Sequence, residues 1–382
     1  MSNLSWVIAT LCGLLAGLAF ARRDQIMRLY HVLGLFRADR IVQNFSQMNR
    51  IFLSDQFPSH AHPSPLPVGA KVTLPKTARD WVRDRNVTGI VVLKNGARVF
   101  EEYYHGTIPN DVRINWSVSK SYLSALCGAI VAEGAIADIN DPVVKYAPAL
   151  AQTAYKDATV KDVLQMSSGL AFDEDYMAFF SDINRMGRVL ALGGSMDGFA
   201  LKQTKSAAPA GARMEYVSID THVLGMVIRG ATGRGIADLM HEKIIEPLGF
   251  EAAPYYLTDG NGVAFALGGL NATTRDNARF GQMITQGGLW QGRQIVPTAW
   301  IDESTVASAK TAPDEIGYGY QWWVPKGYVD GQFIARGIYG QYIYIDRIKN
   351  VVIAVHSADR SFRDDGVNEE SENILRQIAE SV

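Results

Sequence analysis

The sequence predicts a discontinuous α/β fold in which one sheet, assembled from N- and C-terminal strands, brackets a mainly helical insertion. Three observations carry that expectation. Runs rich in β-branched and aromatic residues lie near both ends of the chain, between residues 88 and 105 and between 318 and 356. A helix-and-loop pattern with few alternating runs fills residues 145–300. Of the 382 residues, 47% are hydrophobic and 20% charged, which supplies ample apolar material for a core and excludes disorder.

Taken in order, residues 4–21 form a stretch of eighteen uncharged residues followed by Arg22 and Arg23, just long enough to span a bilayer. Ala19-Phe20-Ala21 has the small-x-small form of a signal-peptidase site, yet Met1-Ser2-Asn3 lacks the positive charge of a secretory n-region. Residues 1–23 are expected to be a hydrophobic membrane anchor or signal segment, with a soluble amphipathic helix as the remaining reading. Arg22, Arg23 and Arg28 favour a cytoplasmic flank, whereas an export signal places the domain outside. The expected location is therefore membrane-associated, at the inner membrane facing the periplasm, or exported, with orientation open.

Residues 24–69 read as a stem and then a Pro-rich linker, with four prolines from Pro58 to Pro67. Two β-rich runs, 89–93 and 99–104, are joined by Lys94-Asn95-Gly96, and Asn-Gly between such runs signals a hairpin. From 117 to 133 the residues Val118, Tyr122, Leu123, Leu126, Ala129 and Ile130 recur at helical spacing and Gly134 closes the stretch, predicting a long buried helix. Residues 160–166 and 221–229 are helical pieces of the insertion. Residues 318–323, 342–346 and 351–356 are short β-type runs, and 368–382 is an amphipathic helix. The expected units are 70–150 with 300–382 as the α/β domain and 151–299 as the helical domain.

Charge and motifs exclude several functions. Thirty-seven Lys plus Arg against 39 Asp plus Glu leave a net charge of −2, so no field is available to hold nucleic acid. The two cysteines, Cys12 and Cys127, exclude a disulfide framework. No CxxC or HExxH motif supports a metal, and no GxGxxG or P-loop spacing supports a nucleotide, so neither metal nor cofactor is expected.

A hydrolase that uses serine must lower the cost of removing the hydroxyl proton, and one solution sets a lysine amine beside it. Ser117-Val118-Ser119-Lys120 supplies that pair, since i and i+3 share a helix face, and it is the single Ser-x-x-Lys in the chain. Burial would depress the pKa of Lys120, as a base at neutral pH requires; the alternative for Lys120 is a solvated helix lysine. The acidic run Asp173-Glu174-Asp175 reads as a solvated loop, because consecutive carboxylates cannot all point at one site.

Further motifs follow in order: Ser117-Val118-Ser119-Lys120-Ser121, Met166-Ser167-Ser168-Gly169-Leu170, Tyr216-Val217-Ser218, Gly268-Gly269-Leu270-Asn271-Ala272-Thr273-Thr274-Arg275-Asp276 and Gly337-Ile338-Tyr339-Gly340-Gln341. This series resembles the class C β-lactamase-like serine hydrolases over roughly residues 70–380. Phe172-Asp173-Glu174-Asp175-Tyr176 and the late Gly-Ile-Tyr-Gly-Gln run are most similar to the 6-aminohexanoate-dimer (nylon-oligomer) hydrolase branch and related carboxylesterases. The resemblance implies a β-lactamase/transpeptidase-like antiparallel sheet flanked by helices. It implies Ser117 as nucleophile, Lys120 as base or relay, and Tyr216 as a catalytic tyrosine whose pKa a nearby ammonium would lower. It also implies an oxyanion hole from the N–H groups of Ser117 and Ile338, with Tyr176 touching the leaving group and Ser218, Arg336, Gly337 and Tyr339 about the substrate.

Two departures narrow the activity. Ser218 stands where β-lactamases carry Asn, and Ala335-Arg336-Gly337 replaces their Lys-Thr-Gly, leaving Arg336 as the cation for a carboxylate if it points inward. The expected enzyme is a serine hydrolase of small esters or linear amides, resembling 6-aminohexanoate oligomers, that forms an acyl-enzyme. The alternatives are β-lactamase or D-amino-acid peptidase activity, or a catalytically retired membrane-attached binding protein. The presence of Ser117, Lys120 and Tyr216 together argues against retirement, and the missing Gly-x-Ser-x-Gly elbow excludes an α/β-hydrolase. The expected partner is a small-molecule ester or amide; nothing in the sequence sets an oligomeric state.

Overall fold

A computed structural model describes residues 3–312 and 315–382. At its centre lies a seven-stranded antiparallel sheet. Its strands are labelled β1 (Val87–Lys94), β2 (Ala97–Tyr103), β3 (Gly317–Tyr318), β4 (Trp323–Val324), β5 (Gln332–Gly337), β6 (Gln341–Asp346) and β7 (Val351–Ser357). The spatial order is β2-β1-β7-β6-β5-β4-β3, so the C-terminal strand β7 pairs with the N-terminal β1. That is the discontinuous sheet expected from the sequence. The β1–β2 turn places Asn95 and Gly96 at φ 51° and 76°, the left-handed pair that a two-residue hairpin with the native strand twist requires.

Both faces of the sheet are covered, which is why its inner strands read as continuous apolar runs rather than alternating ones. Side chains still alternate in direction. Tyr342, Tyr344, Ile353 and Val355 pack with Trp81 of helix Lys76–Asp84 and with Leu375 and Ile378 of the C-terminal helix. Ile343, Ile345, Val352 and Ala354 face the other way, into the larger core. Four helices matter below: α1 (Val118–Ala132), α2 (Ser218–Thr232), α3 (Thr274–Thr285) and α4 (Val367–Ser381). Thirteen residues of α1 and eleven of α2 are buried, so both are interior rather than surface helices. Helix α3 lies on the sheet against β7, β1 and β6.

The structure corrects two readings of the chain's organisation. Residues 24–69 are not a free stem and linker. Leu35, Ile41, Phe45, Met48, Ile51, Phe52 and Phe57 are buried in the main core, while Arg37, Arg40 and Arg50 of the same stretch face outward. Strand Ser54–Gln56 pairs with Tyr255–Leu257 in a second, four-stranded sheet with Leu270–Ala272 and Arg113–Ile114. Even the proline-rich part is tied down, Ser64 donating its N–H to the Gly249 carbonyl at 2.9 Å and accepting from buried Arg279 at 2.9 Å. Residues 151–299 are mainly helical, as expected, but likewise are not self-contained, because they contribute two strands of that second sheet and helix α3, which packs on the large one. The expected anchor is described from residue 3 onward. It forms helix Asn3–Ala21 with Trp6, Leu14 and Phe20 exposed. No single described helix is long and apolar enough to cross a membrane; Trp6–Leu18 and Arg23–Leu33 meet that length and composition only together, with a 69° bend between them.

Candidate active site

The nucleophile candidate sits where an extended segment turns into α1. Trp116 takes φ 44°, and Ser117 follows as the N-cap in helical conformation, which puts its hydroxyl at the head of a buried helix. Lys120, one turn on, is 1% exposed, with Nζ 3.2 Å from Ser117 Oγ and 2.7 Å from the Leu267 carbonyl it donates to. Burial pushes its ammonium down to about 7, against the pull of the Glu174 and Asp220 carboxylates. The lysine is therefore no solvated helix residue; near neutral pH a large fraction is the free amine.

Strand β5 ends beside this helix start. A Cβ built on Gly337 would lie 2.8 Å from the Asn115 carbonyl oxygen and 3.1 Å from the Ser117 nitrogen, so the closeness of β5 to the nucleophile's backbone depends on glycine. Ile338 and Ser117 line one cavity of about 350 Å³. Neither N–H donates to any group among the described residues, leaving two backbone donors for a carbonyl oxygen.

Tyr216 lines the same cavity, stacked on Trp323 with ring centroids 5.1 Å apart, and Lys120 Nζ lies 5.5 Å from its ring centroid. Its electrostatics differ from expectation. Burial pushes the phenol up and the Glu174 charge adds to this, outweighing the opposing Ser117, Arg336 and Ser218. A half-neutral lysine is a weak source of the positive field that was expected to acidify the tyrosine. Tyr216 is thus held as a protonated phenol, and of the two groups Lys120 is the one able to accept a proton near neutral pH.

Tyr176, Arg336 and Gly337 reach the cavity as the sequence implied. Ser218 and Tyr339 do not line it. Ser218, the first residue of α2, donates its N–H to Glu174 Oε2 at 3.1 Å and its hydroxyl to Oε1, and Tyr176 donates to the same oxygen at 2.8 Å. Tyr339, at φ 60°, stacks on Phe36 at 4.8 Å and leans on Phe45 and Trp116, bracing the turn from behind. Arg336 is committed already: Glu372 Oε1 is 2.7 Å from its Nη1 and Trp323 lies 4.2 Å beneath its guanidinium.

Glu174 is the residue that the acidic-run reading missed. Alternation in the loop leaves Asp173 and Asp175 exposed and turns Glu174 inward, where the N-terminus of α2 and two hydroxyls hold its carboxylate. Phe362 and Arg363, from the loop between β7 and α4, also line the cavity, and no local pattern marked them. Below it, Ser168 of the second motif and Tyr155 donate to Asp220 at 2.7 and 2.8 Å, and burial raises that carboxyl to about 7.

A serine, a buried amine and a phenol stand around a pair of backbone donors that are unpartnered among the described residues, an arrangement suited to a serine hydrolase. Comparison with known proteins agrees. The family model described as Beta-lactamase matches residues 78–375, and the chain belongs to that family. It is 28% identical over 290 residues to the 6-aminohexanoate-dimer hydrolase of Paenarthrobacter ureafaciens, covering 72% of this chain and 74% of the relative. Among solved structures, a candidate 6-aminohexanoate-dimer hydrolase from Bacillus anthracis superposes with a TM-score of 0.81 at 24% identity, covering 90% of this chain and 95% of that one. The octameric penicillin-binding protein homologue of Pyrococcus abyssi has a TM-score of 0.61 at 21% identity, covering 78% and 74%. The fold is thus the β-lactamase/transpeptidase type.

Proposed function

We propose that the protein hydrolyses small esters and linear amides, of the kind 6-aminohexanoate oligomers exemplify, through an acyl-enzyme on Ser117. The observation that carries the reading is Lys120, buried, with its pKa lowered to about 7 and its Nζ 3.2 Å from Ser117 Oγ. The free amine takes the serine proton as Oγ attacks the carbonyl carbon, and the oxygen's developing charge is met by the N–H groups of Ser117 and Ile338. As the tetrahedral centre collapses, the Tyr216 hydroxyl gives its proton to the leaving oxygen or nitrogen, and the Lys120 ammonium restores it. Water then enters and the same groups run in reverse to release the acid.

β-Lactams are poorer substrates on this reading. Ser218 is spent on Glu174 and Arg336 on Glu372, so neither is available for the side-chain amide or carboxylate of such a drug. Each missing contact costs on the order of 1.5–3 kcal/mol, roughly ten- to a hundredfold in kcat/KM. A fluorophosphonate probe followed by peptide mass spectrometry should mark Ser117, and p-nitrophenyl butyrate should be turned over far faster than nitrocefin. Labelling of another serine, full activity in Ser117→Ala, or equal rates on the two substrates would each overturn the reading.

Membrane attachment through helix Asn3–Ala21 belongs to the same proposal, supported by its exposed Trp6, Ile8, Leu11, Leu14, Leu18 and Phe20. The full chain should sediment with vesicles and a protein lacking residues 1–23 should not.

A further inference from the structure

Helix Arg23–Leu33 has two faces. Arg28, Leu29 and Val32 are partly buried on the side that meets helix Asp182–Ala191, where Arg28 Nε donates to the Ala191 carbonyl at 3.3 Å and Val32 packs on the main core. On the other side Ile26, Met27, Tyr30 and Leu33 are each at least half exposed, at the spacing of one helical face. The helix is therefore fixed to the catalytic body by one face and presents an apolar stripe with the other.

The surroundings of that stripe suit a lipid surface. The preceding helix Asn3–Ala21 exposes Trp6, Val7 and Ile8 in succession, so it is apolar on every side, as a segment among lipid chains is. A bend of 69° separates the two helices, so when the first enters a bilayer along its normal the second lies close to the surface plane. The stripe also sits in a cationic stretch. Residues 22–40 carry five arginines and two aspartates in a chain whose net charge is −2, which favours an anionic lipid surface and opposes pairing with a second copy. From its end the apolar surface continues to the cavity. Phe36, three residues after Leu33 and also exposed, stacks on Tyr339 at 4.8 Å; Tyr339 meets Phe362 at 4.5 Å, and Phe362 lines the cavity that holds Ser117.

We propose that helix Arg23–Leu33 lies on the bilayer surface through this stripe, and that the aromatic ledge of Phe36, Tyr339 and Phe362 passes amphiphilic esters from the lipid to Ser117, aliphatic chain on the ledge and carbonyl in the cavity. The proposal rests on the membrane attachment and the hydrolase reading above. It is tested on the full-length protein with vesicles of phosphatidylcholine and phosphatidylglycerol. In a Cys12→Ser background, with Cys127 buried, Tyr30→Cys, Leu33→Cys and Ile348→Cys each carry an environment-sensitive fluorophore. Vesicles should shift the emission of the first two labels to shorter wavelength, and lipids spin-labelled near the head of the acyl chain should quench them. The label at exposed Ile348, beyond the far end of β6 from Tyr339, should not respond. Met27→Gln, Tyr30→Gln and Leu33→Gln combined should leave sedimentation with vesicles unchanged, and likewise kcat/KM for p-nitrophenyl butyrate in solution. The same variant should lose about tenfold or more in hydrolysis of p-nitrophenyl palmitate carried in the vesicles, which the loss of one buried apolar side chain already gives. Silent labels on vesicle-bound Tyr30→Cys and Leu33→Cys, or palmitate hydrolysis equal to the wild type, would overturn the proposal. So would an emission shift that grows with protein concentration in the absence of vesicles, which marks a second copy as the occupant. Failure of the underlying readings looks different. Without membrane attachment the full chain would not sediment, and the proposal falls with it; without hydrolase activity neither ester would be turned over, while silent labels would still refute the docking.

Discussion

At the level of single residues, the proposed chemistry turns on Lys120 and on the Glu174 charge that acts on it. The active form of the base is the free amine, so kcat/KM for p-nitrophenyl butyrate should rise with pH through about 7 and level off above it. Glu174 raises the pKa of Lys120 by its charge, so Glu174→Gln should move that rise to lower pH, measured as a shift of the acidic limb between pH 5 and 9. A limb that stays in place would mean that Glu174 serves only to hold Ser218 and Tyr176. In the proposed mechanism Lys120 and Tyr216 pass one proton between them, so Lys120→Ala, Tyr216→Phe and the double variant should lose nearly the same activity rather than multiply their losses. The approach of Lys120 to Ser117 was legible because i and i+3 on a helix need no tertiary knowledge. Tyr216's raised pKa was not, since it depends first on burial in the assembled core and then on Glu174 arriving from a loop about forty residues earlier in the chain, whose inward turn no spacing rule reveals.

Elements, more than residues, hold the proposed oxyanion site. The turn before α1 and the end of β5 each carry a bulky residue in the left-handed region, Trp116 at φ 44° and Tyr339 at φ 60°. Such conformations cost of order 1–3 kcal/mol each and persist only where packing enforces them, here the cluster with Phe36 and Phe45. Gly337 lets the two backbones meet. Gly337→Ala should push β5 off α1, misplace the Ile338 N–H and lower kcat by about 10²–10³, the loss typical of one oxyanion donor. Circular dichroism should show the fold retained; an unchanged kcat would remove Ile338 from the mechanism. The hairpin, α1, β6, β7 and α4 were readable within a residue or two from periodicity. Phe36 and Phe45 were not, because Arg37, Arg40 and Arg50 obscured the buried face that Phe45 shares with Leu35, Ile41 and Met48, beside which the exposed Phe36 stacks on Tyr339.

For the whole molecule, the consequence is that the catalytic unit starts near residue 34 rather than 70. Helix Arg23–Leu33 has no buried residue, so removal of residues 1–33 should leave a folded enzyme. Removal of residues 1–57 takes away seven buried core side chains and one strand, and should give insoluble or unfolded protein. A further link joins the sheet to the site. His356 on β7 contacts Thr274 at 2.9 Å, Asn277 at 3.2 Å and Asn115 at 3.0 Å, and burial, with Arg113 nearby, lowers its pKa to about 3. Between about pH 6.5 and 3 the unfolded chain binds a proton here that the folded chain refuses. The contribution is intact above pH 6.5 and is lost as pH falls toward 3, on the order of a few kcal/mol in all. Asp220, raised to about 7, acts in the opposite sense, its contribution fading as pH rises through 7. Because the two trends oppose each other between pH 7 and 4.5, the His356 part is read as a difference: in urea unfolding at pH 7, 6 and 4.5, His356→Gln should gain stability relative to the wild type as pH falls, and a constant difference would refute the assignment. The antiparallel pairing of β1 with β7 also bears on how the chain is made. The hairpin leaves the ribosome with the inner edge of β1 bare, and its partner strand follows about 260 residues later. At typical rates of synthesis that interval is on the order of 10–50 s, during which an apolar edge stands open to other nascent chains. The yield of the protein should therefore respond to protection of that edge during translation, measured as soluble protein made with and without added chaperone in a cell-free system.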